Sequence, residues 1–301
     1  MVASSFAPAT MVRYKAIWKS FKEFVAGDWD HCFPASPQVL SEYGFWLSDK
    51  GLKPSTIATH LVGVGWWHKI RALEDPSRNY LVKRFLIGLA KEGTPPKQAT
   101  PIRLDGLKGL LRQLPTLTNS FDEKLLRAVF SLAYFASLRV SEYAVTGSSS
   151  HALRLEDVGF TKDGGDTCVY LKLMSFKASL RPAKLLVPPE KNSGACPVTA
   201  LKEYLRVRPR GGKMLFLQKT GGPLRATAVN TRLRACIACQ GSSPGDFSSH
   251  SFRAGRTTDL VEMGVTDTQI RESGRWKSDA FLQYVRFDVF RLPKGGPREG
   301  C

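Results

Sequence analysis

The residues best equipped for chemistry fall in three short stretches of the later part of the chain. In SSHSFRAGRTTDLVEMG, Ser248 or Ser249 can cap a helix, and His250 and Arg253, three apart, then share one face of its first turn. A helix N-terminus already favours an anion, and an imidazole with a guanidinium fork adds directed donors, so this face suits a phosphate. In AYFASLRVSEYAV, Arg139 follows an apolar helix, and Glu142 stands three residues on, a spacing that lets a carboxylate orient nearby donors. In SGRWKSDAFLQYVRFD, Trp276 precedes Tyr284, the only tyrosine after Tyr204, and Ser278 is placed to cap the helix that bears it. Taken singly, each stretch also fits a solvated His/Arg pair or a tyrosine that merely packs.

These side chains need a scaffold, and the first hundred residues read as helices with clear punctuation. Ile17, Phe21 and Phe24/Val25 recur at helical spacing before Gly27. A second helix runs from an N-cap at Ser36 with Pro37 in the first helical position to Gly51 as a C′ residue. A third starts at Pro54 and places Ile57, Leu61, Val64 and Trp67/His68 on one stripe, with Gly63 and Gly65 weakening its middle. A fourth lies within PSRNYLVKRFLIGLAKEG, and TPPKQATP then reads as a linker near 94–101. The reading is two domains, 1–97 and 98–301. The second opens with LDGLKGLLRQL and a buried central helix in FDEKLLRAVFSLAYFAS. Two strands follow, Cys168–Met174 and Ala183–Val187, joined by a basic turn. Further helices are expected up to Val207, around Thr227–Cys239, from Ser249 to Met263, after Thr266 and after Ser278. The fold class is therefore mainly α with a small β-sheet (α+β).

Composition narrows the partner. Forty-four Lys+Arg against 26 Asp+Glu give a formal charge of +18, of which residues 101–301 carry +13 (31 basic, 18 acidic). A field of that size favours a polyanionic partner such as nucleic acid or an anionic membrane surface. No apolar run approaches the roughly 18 residues that would span a bilayer, and the N-terminal stretch has no signal-peptide pattern. The expected location is intracellular: the nucleus in a eukaryote, otherwise the cytoplasm or nucleoid. The six Cys are sparse and irregular, and the CxxC of Cys236 and Cys239 sits alone on a helical stretch without a nearby His. With no phosphate-loop motif and no clustered His and carboxylates, neither metal, cofactor nor nucleotide is expected.

In order, L-R-V-S-E at 138–142, H-S-F-R at 250–253, G-R-W at 274–276 and Tyr284 resemble the signature of the tyrosine recombinase (phage integrase) family. The eight-residue interval from Trp276 to Tyr284 and the GRWKSDAF wording resemble eukaryotic mobile-element members. The resemblance implies a helical, SAM-like core-binding domain over 1–97, which would bind DNA. It implies a catalytic domain over 98–301 ending in an exchange helix, and the apolar end with Val285, Val289, Phe290 and Leu292 fits either packing in cis or docking on a neighbouring protomer as the family's C-terminal helix does. By the same resemblance Tyr284 is the nucleophile, Arg139 and Arg253 clamp the phosphate, His250 handles protons and hydrogen bonds, Trp276 fills a position that is His or Trp in the family, and Glu142 supports the arginine. The family's lysine on the β-hairpin is best matched by Lys177, with Lys172 and Lys184 as alternatives.

The implied activity is site-specific recombination or integration of double-stranded DNA. It proceeds through a 3′-phosphotyrosine and a Holliday junction in a homotetramer, without a membrane or a nucleotide. The chemistry is consistent: fixed Arg, His and indole donors can stabilise the charge of a pentacoordinate phosphorus without a metal, and a covalent intermediate conserves the bond energy, so religation needs no ATP. Two alternatives share most of these residues, a type IB topoisomerase-like enzyme and a domesticated DNA-binding protein that no longer catalyses.

Overall fold

The computed structural model describes residues 6, 8–27, 32–93, 98–147, 151–173, 182–191 and 193–285. The chain divides into two compact units, residues 1–97 and 98–301. No helix among the described residues is long and apolar enough to cross a membrane.

Among its described residues the first unit contains the helices α1 (Pro8–Val25), α2 (Pro37–Asp49), α3 (Pro54–Lys69) and α4 (Tyr80–Glu92), with a 3₁₀ turn, Pro76–Arg78, before α4. Their apolar stripes meet in one core that includes Ile17, Phe21, Leu40, Tyr43, Leu47, Ile57, Leu61 and Val64. Ser36 caps α2, its hydroxyl accepting from the Val39 N–H at 3.2 Å. The glycines of α3 reflect packing: a Cβ on Gly65 would lie 2.0 Å from Asp75 Oδ1, a carboxylate already bonded to Ser77 and Lys69. His68 is equally structural. It is buried, and its Nε2 accepts from the Ala35 N–H while Nδ1 bonds the Val64 carbonyl.

The second unit is built around α6 (Ser120–Phe135), which is capped by Asn119 and packs against α5 (Leu104–Leu117), α8 (Pro197–Val207) and α10 (His250–Glu262). Between α6 and α8 come the short α7 (Val140–Tyr143) and the sheet. Helix α9 (Ala226–Cys239) precedes α10 and buries Val229, Leu233, Cys236 and Ile237. Cys239 is exposed on its outer face.

The sheet is where the sequence reading needs correction. Among the described residues it has three antiparallel strands in the order β1 (Val158–Asp163), β2 (Asp166–Leu173) and β3 (Ala183–Val187), where two were expected. Strand β1 pairs Phe160 with Val169 and is too exposed to show an apolar alternation. The missed signal is the Asp-Gly-Gly-Asp turn, in which Gly164 and Gly165 have φ of 52° and 86°, as a two-residue hairpin loop requires. The expected end of β2 at Met174 and the basic turn with Lys177 lie outside the described residues.

Helix α10 lies against the segment that leads into α5. Ile102 N–H donates to the Ser251 carbonyl at 2.9 Å, and a Cβ on Gly255 would sit 1.7 Å from the Ile102 carbonyl oxygen. Asp259 locks the same contact, accepting from Arg103 Nε at 2.6 Å, from the Leu104 N–H at 2.9 Å and from the Tyr134 hydroxyl. Gly255→Ala is accordingly expected to cost about 2–3 kcal/mol, because backbone cannot yield as a side-chain tip can. Thermal unfolding checks this: a Tm several degrees lower is expected, and a Tm within about 1 °C of the parent protein would show that the contact relaxes freely.

Candidate active site

The site forms where the chain leaves α6. Ala136 ends that helix and Ser137 turns the chain with φ of 46°, so that the buried Leu138 anchors the turn and Arg139 emerges at the start of α7. Glu142, three residues on and only 2% exposed, reaches back: Oε2 accepts from the Arg139 N–H at 2.8 Å and Oε1 from Arg139 Nη1 at 3.0 Å. The carboxylate thus holds both ends of Arg139, as the LRVSE spacing implies.

Arg253 stands on the first turn of α10 and is fully buried. Its Nη1 donates to the Ser137 carbonyl and its Nη2 to the Gly274 carbonyl at 2.6 Å. The guanidinium carbon lies 4.0 Å from the centre of the Trp276 ring and 5.3 Å from that of Tyr284. The two rings are 5.6 Å apart, centre to centre. Cation–π attraction therefore ties the arginine to both aromatic residues.

Helix α11 (Asp267–Gly274), capped by Thr266, delivers Trp276. Tyr284 ends a 3₁₀ turn, Asp279–Tyr284, where a helix was expected. Phe281, buried against Leu260 and Ile270, anchors that turn beneath the tyrosine. Ser278 occupies the cap position without a side-chain cap bond. The expected exchange helix beyond Val285 lies outside the described residues.

His250 opens α10 on its exposed side, its N–H donating to the Ser248 hydroxyl at 3.3 Å. Partial burial of the ring, followed by the charges of Arg253 and Arg139, pushes its pKa below the ordinary 6.5. The imidazole is therefore neutral at pH 7 and able to accept a proton. A DNA phosphate entering beside the arginines would push the pKa back up. Site-specific NMR titration is expected to give a value below 6.5 for the free protein and a higher one with DNA; a free-protein value at or above 6.5 would count against this electrostatic picture. Arg253 is itself disfavoured as a cation, first by burial and then by Arg139 and Arg275, with Glu142 and Tyr284 opposing.

The structure thus gathers Arg139, Glu142, Arg253, Trp276 and Tyr284 in one place, with His250 at its rim. Lys172 and Lys184 lie opposite each other on β2 and β3, on the face away from Val169 and Leu171. Among the described contacts neither joins the cluster. Two further residues join the cluster with no role expected of them: Arg275, the middle residue of G-R-W, whose Nη2 is 2.7 Å from Glu142 Oε2, and Ser137, whose carbonyl serves Arg253 and Arg275 alike. No periodicity marks either residue.

Comparison with known proteins places this arrangement. The model of the phage integrase family matches residues 105–286. The recombinase Cre of Escherichia phage P1 is 24% identical over 274 residues, covering 84% of this chain and 77% of that protein. Among solved structures, the XerH site-specific recombinase in a post-cleavage complex with palindromic difH substrate superposes with a TM-score of 0.66 at 15% identity, covering 92% of this chain and 76% of the other. A lambda integrase dimer bound to a COC′ core site gives 0.60 at 15% identity over 97% of this chain and 77% of the other. The Tn1549 transposon integrase with circular intermediate DNA gives 0.56 at 16% identity over 85% and 82%. These structural likenesses establish the fold, and the family match, spanning more than half of the sequence, establishes the lineage: the chain belongs to the phage integrase family, the tyrosine recombinases, which are DNA strand-transfer enzymes.

Proposed function

We propose that this chain is a site-specific recombinase or integrase that cuts and rejoins double-stranded DNA through a covalent 3′-phosphotyrosine at Tyr284, with neither metal nor nucleotide. The observation that carries this reading is the Arg253 guanidinium held against the rings of both Trp276 and Tyr284, at 4.0 and 5.3 Å. It brings a phosphate-binding cation to a nucleophile at the N-terminal turn of a helix.

In this mechanism the bond from Tyr284 Oη to phosphorus forms as the bond to the 5′ oxygen breaks. Arg139 and Arg253 take up the charge on the nonbridging oxygens, and Trp276 walls the site and offers its indole N–H. The neutral His250 accepts a hydrogen bond or the tyrosyl proton, and Lys177 gives a proton to the leaving 5′ oxygen. Attack by the freed 5′ hydroxyl of another strand reverses these steps. Two such exchanges pass through a Holliday junction in a homotetramer, for which the apolar residues after Tyr284 would supply a docking contact. Residues 1–97 would contribute DNA contacts, chiefly to phosphates.

The test is cleavage of nicked duplexes drawn from DNA flanking the gene, in EDTA, read as an SDS-resistant protein–DNA adduct. The expected result is an adduct that depends on Tyr284, together with strand exchange between two sites. Relaxation of supercoils without strand exchange would convert the reading to a topoisomerase-like enzyme, and tight site-specific binding without an adduct to a domesticated binder.

A further inference from the structure

Arg275, the middle residue of G-R-W, has no part in the proposed mechanism, yet it is buried at the junction of the residues that carry it. Its side chain is 4% exposed and pairs at 2.7 Å with Glu142, whose side chain is 3% exposed. Its Nη2 also donates to the Ser137 carbonyl at 3.2 Å, and its Nη1 to the carbonyls of Ala136 and Ser273 at 3.2 and 3.3 Å. Through Glu142 it is one step from Arg139, and through Ser137 one step from Arg253.

The backbone at this junction is under constraint. Ser137 and Arg275 adopt left-handed conformations with φ of 46° and 58°, a region that non-glycine residues occupy at a cost and keep where their surroundings impose it. The electrostatics are also tuned. Arg139, Arg253 and Arg275 against Glu142 leave two net positive charges at the site. Phenolate attack on a phosphodiester monoanion gathers two negative charges on the pentacoordinate phosphorus. Without Arg275 the buried carboxylate would be left to Arg139, and the net charge facing the phosphate would fall to one.

We infer that Arg275 is a positioning residue: by neutralising Glu142 and sharing the Ser137 carbonyl, it holds Arg139 and Arg253 ready for the phosphodiester without touching the DNA itself. This rests on the phosphotyrosine reading above, and the experiment separates the two. The parent protein, Arg275→Met, Arg275→Lys, Glu142→Gln and the double variant Arg275→Met/Glu142→Gln are compared in single-turnover cleavage of the nicked duplex. DNA affinity is measured in parallel. Each protein is also given a duplex whose scissile phosphate carries a methyl in place of one nonbridging oxygen.

Arg275→Met is expected to cleave about 100-fold more slowly, the scale of loss from misplaced catalytic groups, with DNA affinity unchanged. The double variant is expected to cleave faster than Arg275→Met, because no buried carboxylate is left with a single cation. The defect should shrink on the methylated phosphate, which has less charge to stabilise, whereas a folding defect would slow both substrates alike. Parent-like cleavage by Arg275→Met, or an equal defect on both substrates, overturns the inference and leaves the proposed reaction standing. No adduct from the parent protein overturns that reaction and the inference together. Should Arg275→Met fail to fold, Arg275→Lys and the double variant carry the same comparison.

Discussion

Tyr284→Phe is expected to abolish the covalent adduct entirely while leaving DNA affinity and thermal stability close to those of the parent protein. The substitution removes one hydroxyl and keeps the ring that faces Arg253 and Trp276. Neither the tyrosine's backbone nor the buried Phe281 beneath it is disturbed. Loss of a nucleophile has no partial form, since no other group in the cluster can take its place in the covalent step. A gel assay for the SDS-resistant adduct, run beside a binding titration, checks both halves of the expectation. An adduct that persists in the phenylalanine variant would remove Tyr284 from the mechanism.

The second large effect is expected from the arginines, and the structure separates their roles. Arg139→Ala should slow cleavage by about 10²–10³, the loss that follows removal of one charge-stabilising donor. Tm should fall only slightly, because Glu142 Oε1 loses Arg139 Nη1 while the carboxylate keeps Arg275 and the residue 139 N–H as partners. Arg253→Ala should slow cleavage at least as much and should also lower Tm by several degrees. Its guanidinium is fully buried, donates to two backbone carbonyls and packs on Trp276, so truncation leaves a cavity and takes the side-chain donor from the Gly274 carbonyl, while the Ser137 carbonyl keeps Arg275. Cleavage rates and melting curves on the two variants distinguish these outcomes. Equal Tm losses would contradict the assignment of Arg253 as both clamp and structural tie, and near-normal cleavage by either would remove it from the phosphate clamp.

Much of the scaffold was legible because its determinants are local. Ser36 with Pro37 and Thr266 mark helix starts by cap hydrogen bonds that act over a few residues. The same holds for the pairing of Arg139 with Glu142, which needs only a three-residue spacing within one turn. Strand β1 escaped because an exposed edge strand has no apolar alternation, although its glycine turn was there to be read. The last turn before Tyr284 reads as a helix from Ser278 as its cap, yet it closes as 3₁₀ around Phe281.

By itself the sequence determined most of the helices and two of the strands, which residue types are on hand for phosphate chemistry and in what order they appear, since each of these follows from neighbours along the chain. Only the tertiary structure decided how they meet. Arg253 reaches Ser137 across 116 residues, Arg275 reaches Glu142 across 133, and Tyr134 reaches Asp259 across 125. None of these pairs has a signature in spacing, because each is made by packing α10 and the chain after α11 against the end of α6, and burial then forces every charge left inside to find a partner.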